Sequence, residues 1–373
     1  MSDLTDALER IVNWLDTNQW SRFPESKQSA SFLKPGLSCP EIDSIIACSN
    51  LVLPPEVYEL YQWRNGDMID QWDYVGLFDI HHDFSGFSPW GFIPFQSGFA
   101  EYLKREYQYL PIESKLLSKL STFPSFAYFH NPPGFEIFRC YESCRIGYVY
   151  QDDHYKFYPV VFRDFKGGSD YVLMIYASLT DMMLTIAESY ETAYYIREEG
   201  ELAGYLALDT TKSLEIWRKY NSEQLVEGIL AKMKKIEPIL PQLEGNLGYE
   251  FLKEIEDIFR FSHDERLIQP LVRVLTRPPT NSVYDENLDY LRGGSSSFLG
   301  SFGSKNTAIQ LIPALQNEYW MIRYWVVIAL GNLKNIQVIP HLNKLLEDDH
   351  ELVRQAAQRS LEKITNSDLP TNS

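Results

Sequence analysis

Apolar residues recur at helical spacing in the first segment, where Leu4, Leu8, Ile11, Val12 and Leu15 form one stripe and predict a helix from Leu4 to Leu15. A polar, Ser-rich stretch from Ser21 to Ser31 breaks the pattern. Ser38-Cys-Pro-Glu41 then has the residues of a capping box, in which Ser38 accepts the third helical N–H and Glu41 reaches back to the cap. The helix it opens carries Ile42, Ile45 and Ile46 on one face. Leu53-Pro54-Pro55 ends that unit and begins another, because a proline in a first helical turn forfeits no hydrogen bond. Val57, Leu60 and Tyr61 form its buried stripe. Asn65-Gly66 reads as its stop, since both residues tolerate the left-handed conformation that terminates helices.

From Trp72 to Tyr176 the period shortens. Aromatic and β-branched runs at Tyr74–Phe78, Trp90–Phe95, Phe126–Phe129, Phe135–Tyr141, Gly147–Tyr150 and Tyr158–Phe162 are separated by Gly and Pro. They predict strands of a mostly antiparallel sheet, interrupted by one helix around Phe99 to Leu120. Ser178-Leu-Thr-Asp181 supplies a second cap, and Leu179, Met182, Met183, Ile186 and Tyr190 predict a helix covering one sheet face. Helices flanking an antiparallel sheet make an α+β domain. Strands are expected to stop near residue 200, with helices following at about 211–236 and 248–260.

A longer period then emerges. Arg292, Arg323 and Arg354 stand 31 residues apart, each after an apolar residue, and the same offset aligns Leu299, Leu330 and Leu361. Phe302, Leu333 and Ile364 follow it too, as do Gly300 and Gly331. The preceding segments match more loosely, as Ile312-Pro313-Ala-Leu315, Ile339-Pro340-His-Leu342 and Ile268-Gln-Pro270-Leu271. Such a period means stacked helical hairpins, an α-solenoid. In the first copy Gly293-Gly-Ser-Ser-Ser297 replaces helix formers, so that copy is expected to be frayed or distorted. The organisation expected is a recognition domain over residues 1–200, a helical linker over 201–221, repeats over 222–366 and a disordered tail over 367–373.

Charge narrows what the chain can bind. Lys and Arg number 34 against 51 Asp and Glu, a net −17 that opposes phosphate backbones and anionic membranes. The excess is concentrated in front, with 15 basic and 28 acidic residues up to position 200 and 19 against 23 beyond it. No run of eighteen apolar residues spans a bilayer, and the first residues lack a basic region and small-residue cleavage site, so a cytoplasmic location is expected. Cys39, Cys48, Cys140 and Cys144 are read as free structural thiols, because zinc at the last two would need a second pair.

Catalytic patterns are missing: there is no G-x-S-x-G, H-E-x-x-H or Walker sequence, and no cofactor is expected. His81-His82-Asp83 is the best metal candidate, yet adjacent strand residues point to opposite faces, so a surface reading is preferred and no metal is expected. His130-Asn-Pro-Pro-Gly134 reads as turn chemistry.

Two candidate binding patches remain. Asp67, Asp70, Asp73, Asp79 and Asp83 alternate with Met68, Trp72, Tyr74 and Phe78, and carboxylates beside aromatic anchors suit a basic protein partner. Taken singly, each of these residues reads better as part of a solvated loop around a core-facing strand; only as a patch do they point to a partner. Tyr319, Trp320, Tyr324 and Trp325 crowd one repeat and form the second candidate, with core packing as the competing reading. The repeat arginines are read as ties to neighbouring carbonyls or acids rather than as partner contacts.

The segment Gly36-Leu-Ser-Cys-Pro-Glu-Ile42, then Leu53-Pro-Pro-Glu-Val-Tyr-Glu-Leu-Tyr61 and Asn65-Gly66, resembles the SUKH superfamily of Smi/Knr-type regulators and toxin-immunity proteins. Gly91-Phe-Ile-Pro-Phe95 and Ser178–Leu184 match later landmarks, so the resemblance covers roughly residues 1–200. It implies an α+β protein-recognition domain in which Leu53, Pro54, Tyr61, Asn65 and Gly66 are structural landmarks. Gln96–Lys104 departs from the family, reading as helix where many members continue with a strand. Residues 262–365, above all Glu351–Ile364, resemble HEAT repeats of the phycobilin-lyase type. The expected function is a non-enzymatic, protein-binding adaptor, with a bilin lyase or phycobiliprotein chaperone as the alternative. Nucleic-acid binding would need a basic face that the near-balanced rear half does not supply.

Overall fold

A computed structural model describes residues 2–18, 33–49, 51–67, 78–79, 89–108, 135–140, 145–149, 158–164, 171–196, 206–237, 247–278 and 286–366. The chain divides into two units, Met1–Gly228 and Ile229–Ser373.

The first unit opens with α1 (Asp3–Asn18), whose buried stripe is Leu4, Ala7, Leu8, Ile11, Val12 and Leu15, and whose Asp3 and Asp6 sit favourably at the positive end of the helix dipole. In α2 (Cys39–Ile46) the Ser38 N–H donates to Glu41 Oε2 at 2.7 Å. Hydrogen bonds from the Ser38 backbone and hydroxyl hold the Glu41 carboxyl below its ordinary range. Of its isoleucines only Ile42 is fully buried. Helix α3 (Pro55–Trp63) buries Val57, Leu60 and Tyr61. It does not end on Asn65-Gly66. Arg64 is already extended, with φ −154° and ψ 150°, and Arg64–Asp67 forms β2 against β1 (Leu33–Pro35).

The main sheet has six strands in chain order: β3 (Phe78–Asp79), β4 (Pro89–Phe92), β5 (Phe135–Cys140), β6 (Arg145–Val149), β7 (Val160–Asp164) and β8 (Tyr171–Tyr176). Every neighbouring pair is antiparallel. The expected run at Phe126–Phe129 and the helical residues 109–120 lie outside the described residues. The interrupting helix α4 (Phe95–Gln108) starts earlier than the pattern indicates, because Pro94 ends the strand run and Phe95 turns inward. Its core is aromatic, Tyr61 lying 5.1 Å from Phe92 and 5.0 Å from Phe95 between ring centroids.

Ser178 caps α5 (Leu179–Thr192), its Oγ accepting the Asp181 N–H at 3.1 Å. Tyr190 of that helix stacks on Trp14 of α1 at 4.8 Å. Strands continue past residue 200, since β9 (Tyr194–Ile196) pairs with β10 (Leu206–Leu208). The stretch read as a linker is part of the first unit. After α6 (Thr210–Trp217) and a π-helical turn at Arg218–Ser222, the Trp217 indole donates to Ile175 O at 2.8 Å. Asn221 Oδ1 accepts the Ala177 N–H at 2.9 Å while its Nδ2 donates to Thr185 Oγ1 at 3.0 Å. Both side chains are buried, so these bonds replace water that is excluded.

The unit boundary falls within α7 (Glu223–Ile236), and helices alone follow among the described residues: α8 (Leu247–Ser262), α9 (Ile268–Thr276), α10 (Glu286–Phe302), α11 (Lys305–Leu311), α12 (Trp320–Leu333), α13 (Ile339–Lys344) and α14 (Glu351–Asn366). The 31-residue period places equivalent residues on α10, α12 and α14, which lie side by side. Gly293–Ser297 is not frayed; it lies inside the unbroken α10. Its small residues let the next helix close in. A Cβ on Gly293 would stand 3.1 Å from the Trp325 ring, Ser296 Oγ donates to Trp325 O at 2.8 Å, and Ser295 and Ser296 are fully buried. One copy later Ser360 Oγ donates to Val327 O at 3.0 Å, and Gly331 leaves no room for a Cβ beside Ser360. Packing outweighs the intrinsic helix penalty of about 1 kcal/mol per glycine.

Candidate protein-docking site

Asp67 lies in β2 opposite Leu33, and Asp79 in β3 opposite Pro89. Asp70, Trp72, Asp73 and Asp83 fall outside the described residues, as do His81, His82, His130 and Cys144.

The segment from Leu53 to Gly66 is a hub for helix ends. Leu53 and Pro54 are buried, and Pro54 is extended ahead of α3. Tyr61 OH donates to Ile93 O at 3.1 Å, and Asn65 Oδ1 accepts the Phe95 N–H at 2.9 Å, capping α4. Gly66 adopts φ +74° because β2 passes so close that a Cβ would stand 2.5 Å from Pro94 N. Asn65 and Gly66 therefore lock the 91–95 segment in place rather than stop their own helix.

Two further residues of this hub carry no local sequence signal. Glu56 accepts the N–H groups of Leu179 and Thr180 at 3.3 and 3.2 Å, capping α5 from across the unit. Glu59 accepts the Thr5 N–H at 3.2 Å and its hydroxyl at 2.6 Å, at the start of α1. A carboxylate at a helix N-terminus meets both unpaired donors and the positive end of the dipole.

In the repeats, Arg323 is 8% exposed. Its Nη1 donates to Asn317 O at 2.9 Å and Glu318 O at 3.2 Å, while Nε and Nη2 grip both oxygens of Asp348 at 2.8 and 2.7 Å. Nη2 also reaches Asp349. The arginine thus joins the turn before its own helix to the turn before the next. Arg354 repeats the first half, its Nη1 donating to Asp348 O at 2.6 Å, and the buried Arg292 donates to Arg277 O at 2.6 Å. Burial works to raise the Asp348 carboxyl, but hydrogen bonds from Arg323 and the His350 N–H outweigh it and hold the group below its ordinary value.

Those turns share a feature the arginine alignment could have revealed. Asn317 and Asp348 stand one period apart, and each side chain accepts the N–H two residues on, from Tyr319 at 3.0 Å and His350 at 2.9 Å.

Tyr319, Trp320, Tyr324 and Trp325 are all half-buried. Tyr319 caps the start of α12, its carbonyl taking the Arg323 N–H at 3.3 Å. Trp320 stacks on His350 with centroids 3.7 Å apart and planes 4° from parallel. Tyr324 meets Trp325 edge-on at 4.9 Å, and the Trp325 indole donates to Asp289 Oδ1 at 2.7 Å. The core side of α12 carries Ile322, Arg323, Val326, Val327, Ala329, Leu330 and Gly331, and Tyr324 and Trp325 flank its open arc. Partly exposed aromatic rings are enriched in protein-binding surfaces.

Among the described residues no helix is long and apolar enough to cross a membrane. No curated protein and no solved structure matches the chain. The family described as HEAT repeats matches residues 286–362, the segment that holds α10 to α13 and most of α14.

Proposed function

We propose that this chain is a non-enzymatic adaptor that binds other proteins through both units. The observation that carries the reading is the half-buried aromatic cluster at Tyr319, Trp320 and Tyr324, with Trp320 stacked on His350, inside a segment matching a repeat class that commonly mediates protein–protein interaction. In the first unit the SUKH resemblance, with its toxin-immunity or regulatory role, draws support from the way its landmarks meet. Tyr61, Asn65 and Gly66 join the 91–95 segment in one hydrogen-bonded lock. The acidic run Asp67, Asp70, Asp73, Asp79, Asp83 makes a basic partner the choice for that unit. A bilin-lyase role has only the resemblance of the repeats beneath it, and a shared scaffold does not fix function.

Affinity capture from cell extract tests this. Reversal of Asp67, Asp70 and Asp73 to lysine is expected to lose the proteins held by the first unit, and Trp320→Ala with Tyr324→Ala those held by the repeats. Capture unchanged by both variants would reject the reading.

A further inference from the structure

On α10 the stripe that meets α12 is Asp289, Ser296 and Gly300. Asp289 Oδ1 takes the Trp325 indole at 2.7 Å, Ser296 Oγ donates to Trp325 O at 2.8 Å, and a Cβ on Gly300 would stand 2.5 Å from that of Asn332. One period on, the stripe of α12 that meets α14 is Trp320, Val327 and Gly331. Trp320 stacks on His350, Val327 O accepts the Ser360 hydroxyl at 3.0 Å, and a Cβ on Gly331 would stand 2.6 Å from that of Ser360 and 2.9 Å from its Cα. Steps of seven and then four residues keep each stripe on one helical face. At its tight end the contact needs glycine, because the next helix occupies the place of a Cβ.

One period further, the same stripe on α14 is Glu351, Gln358 and Glu362. All three are exposed, and their bonds run along their own helix: Gln355 Nε2 donates to Glu351 Oε1 at 2.9 Å, and Gln358 Nε2 to Glu362 Oε1 at 3.2 Å. Where α10 and α12 present glycine to a neighbour, α14 presents glutamate. Its side chain fills the space that a following helix would need, and covering its carboxylate would strip it of water.

We infer that α14 is a cap, whose outer stripe closes the stack so that the repeats accept no further helical hairpin at this end, from this chain or from another protein. Glu362 closes it by its length. An uncapped stack leaves an adhesive end on which further units or copies assemble. With that end closed, partners of the repeats are left the flanks of the helices.

The test supplies the hairpin best able to dock. Asn366 stands one period after Asn335, the residue ahead of the turn into α13, so a second copy of residues 336–366 inserted after Asn366 continues the register. A tethered hairpin has a higher effective concentration than a partner in solution, so its failure to dock covers such partners too. The full chain carrying this insert is followed by amide hydrogen exchange. Beside the native α14 the insert is expected to exchange without protection. With Gln358→Val and Glu362→Gly in that helix, the residues of α12, it is expected to exchange at least about tenfold more slowly. Glu362→Gln keeps the length and removes the charge, and the insert is expected to stay unprotected. Protection of α10 and α12 in every chain shows that the stack itself is folded. An insert protected beside native α14, an insert unprotected in the double variant, or equal protection in Glu362→Gln and the double variant overturns the inference.

Discussion

Asn65 holds the start of α4 from 30 residues away, and Glu56 holds the start of α5 from 123 residues away. Arg323, by contrast, reaches a turn 25 residues on, and the carbonyl half of its contacts recurs at Arg354 one period later. The first unit is built from unique long-range bonds, each made once; the second is built from one bond pattern used again. A lost contact in the first unit therefore has no substitute, while in the repeats damage is confined to adjoining copies.

The sharpest way to break this comparison is at Arg323. Arg323→Met leaves the 5%-exposed Asp348 carboxylate without its guanidinium, and the loss is expected to be about 3–5 kcal/mol in urea denaturation. Helix α12 and α14 should lose hydrogen-exchange protection while α1 and α3 keep theirs. Protection lost throughout the chain would refute a nearest-neighbour repeat.

Gly66→Ala comes next, at about 3 kcal/mol, because the substitution combines a left-handed backbone with a clash at Pro94. Asn65→Ala should cost about 1–2 kcal/mol, the worth of a buried cap. Exchange protection is expected to fall at the start of α4, 30 residues from the substitution, and a loss confined to α3 would return Asn65 to the role of a helix stop.

The smallest effect is in pH dependence, and its sign separates Asp348 from Asp181. Asp348 is held below its ordinary value, so its stabilisation is complete above the unfolded carboxyl value of about 4 and is lost as pH falls through the folded value. Burial raises Asp181, with the Ser178 hydrogen bond opposing and the Glu56 charge adding. Its ionisation therefore costs stability as pH rises through about 4 and beyond. Between about pH 5 and pH 3, Asp348→Asn should close on wild type as acid is added, and Asp181→Asn should fall behind. Parallel slopes for the two variants would contradict these assignments.

What was legible in the sequence follows the same division. The α1 stripe, the Ser38 and Ser178 caps and most strand runs are local patterns, and local patterns survive folding. The 31-residue period is legible because repetition supplies its own alignment. Asn65-Gly66 misleads because rules for helix ends speak only of the helix being ended, whereas these residues serve α4. Glu56 and Glu59 are invisible for the same reason, their partners lying far along the chain. Gly293–Ser297 misleads because propensity describes an isolated helix, and here small side chains are what Trp325 packs against. Of the candidate sites, the aromatic cluster on α12 is legible from composition alone, while the stacking of Trp320 on His350 and the bond from Trp325 to Asp289 are not, because those partners lie on other elements.

The central claim is that both units bind other proteins, the first through its acidic run and the repeats through the aromatic cluster on α12. Mass-spectrometric comparison of proteins captured by wild type, by the chain with Asp67, Asp70 and Asp73 changed to lysine, and by Trp320→Ala with Tyr324→Ala addresses it directly. The account predicts that the first variant loses basic proteins and the second loses a different set, each leaving the other set in place. Loss of the same proteins by both variants, or of none by either, would contradict it.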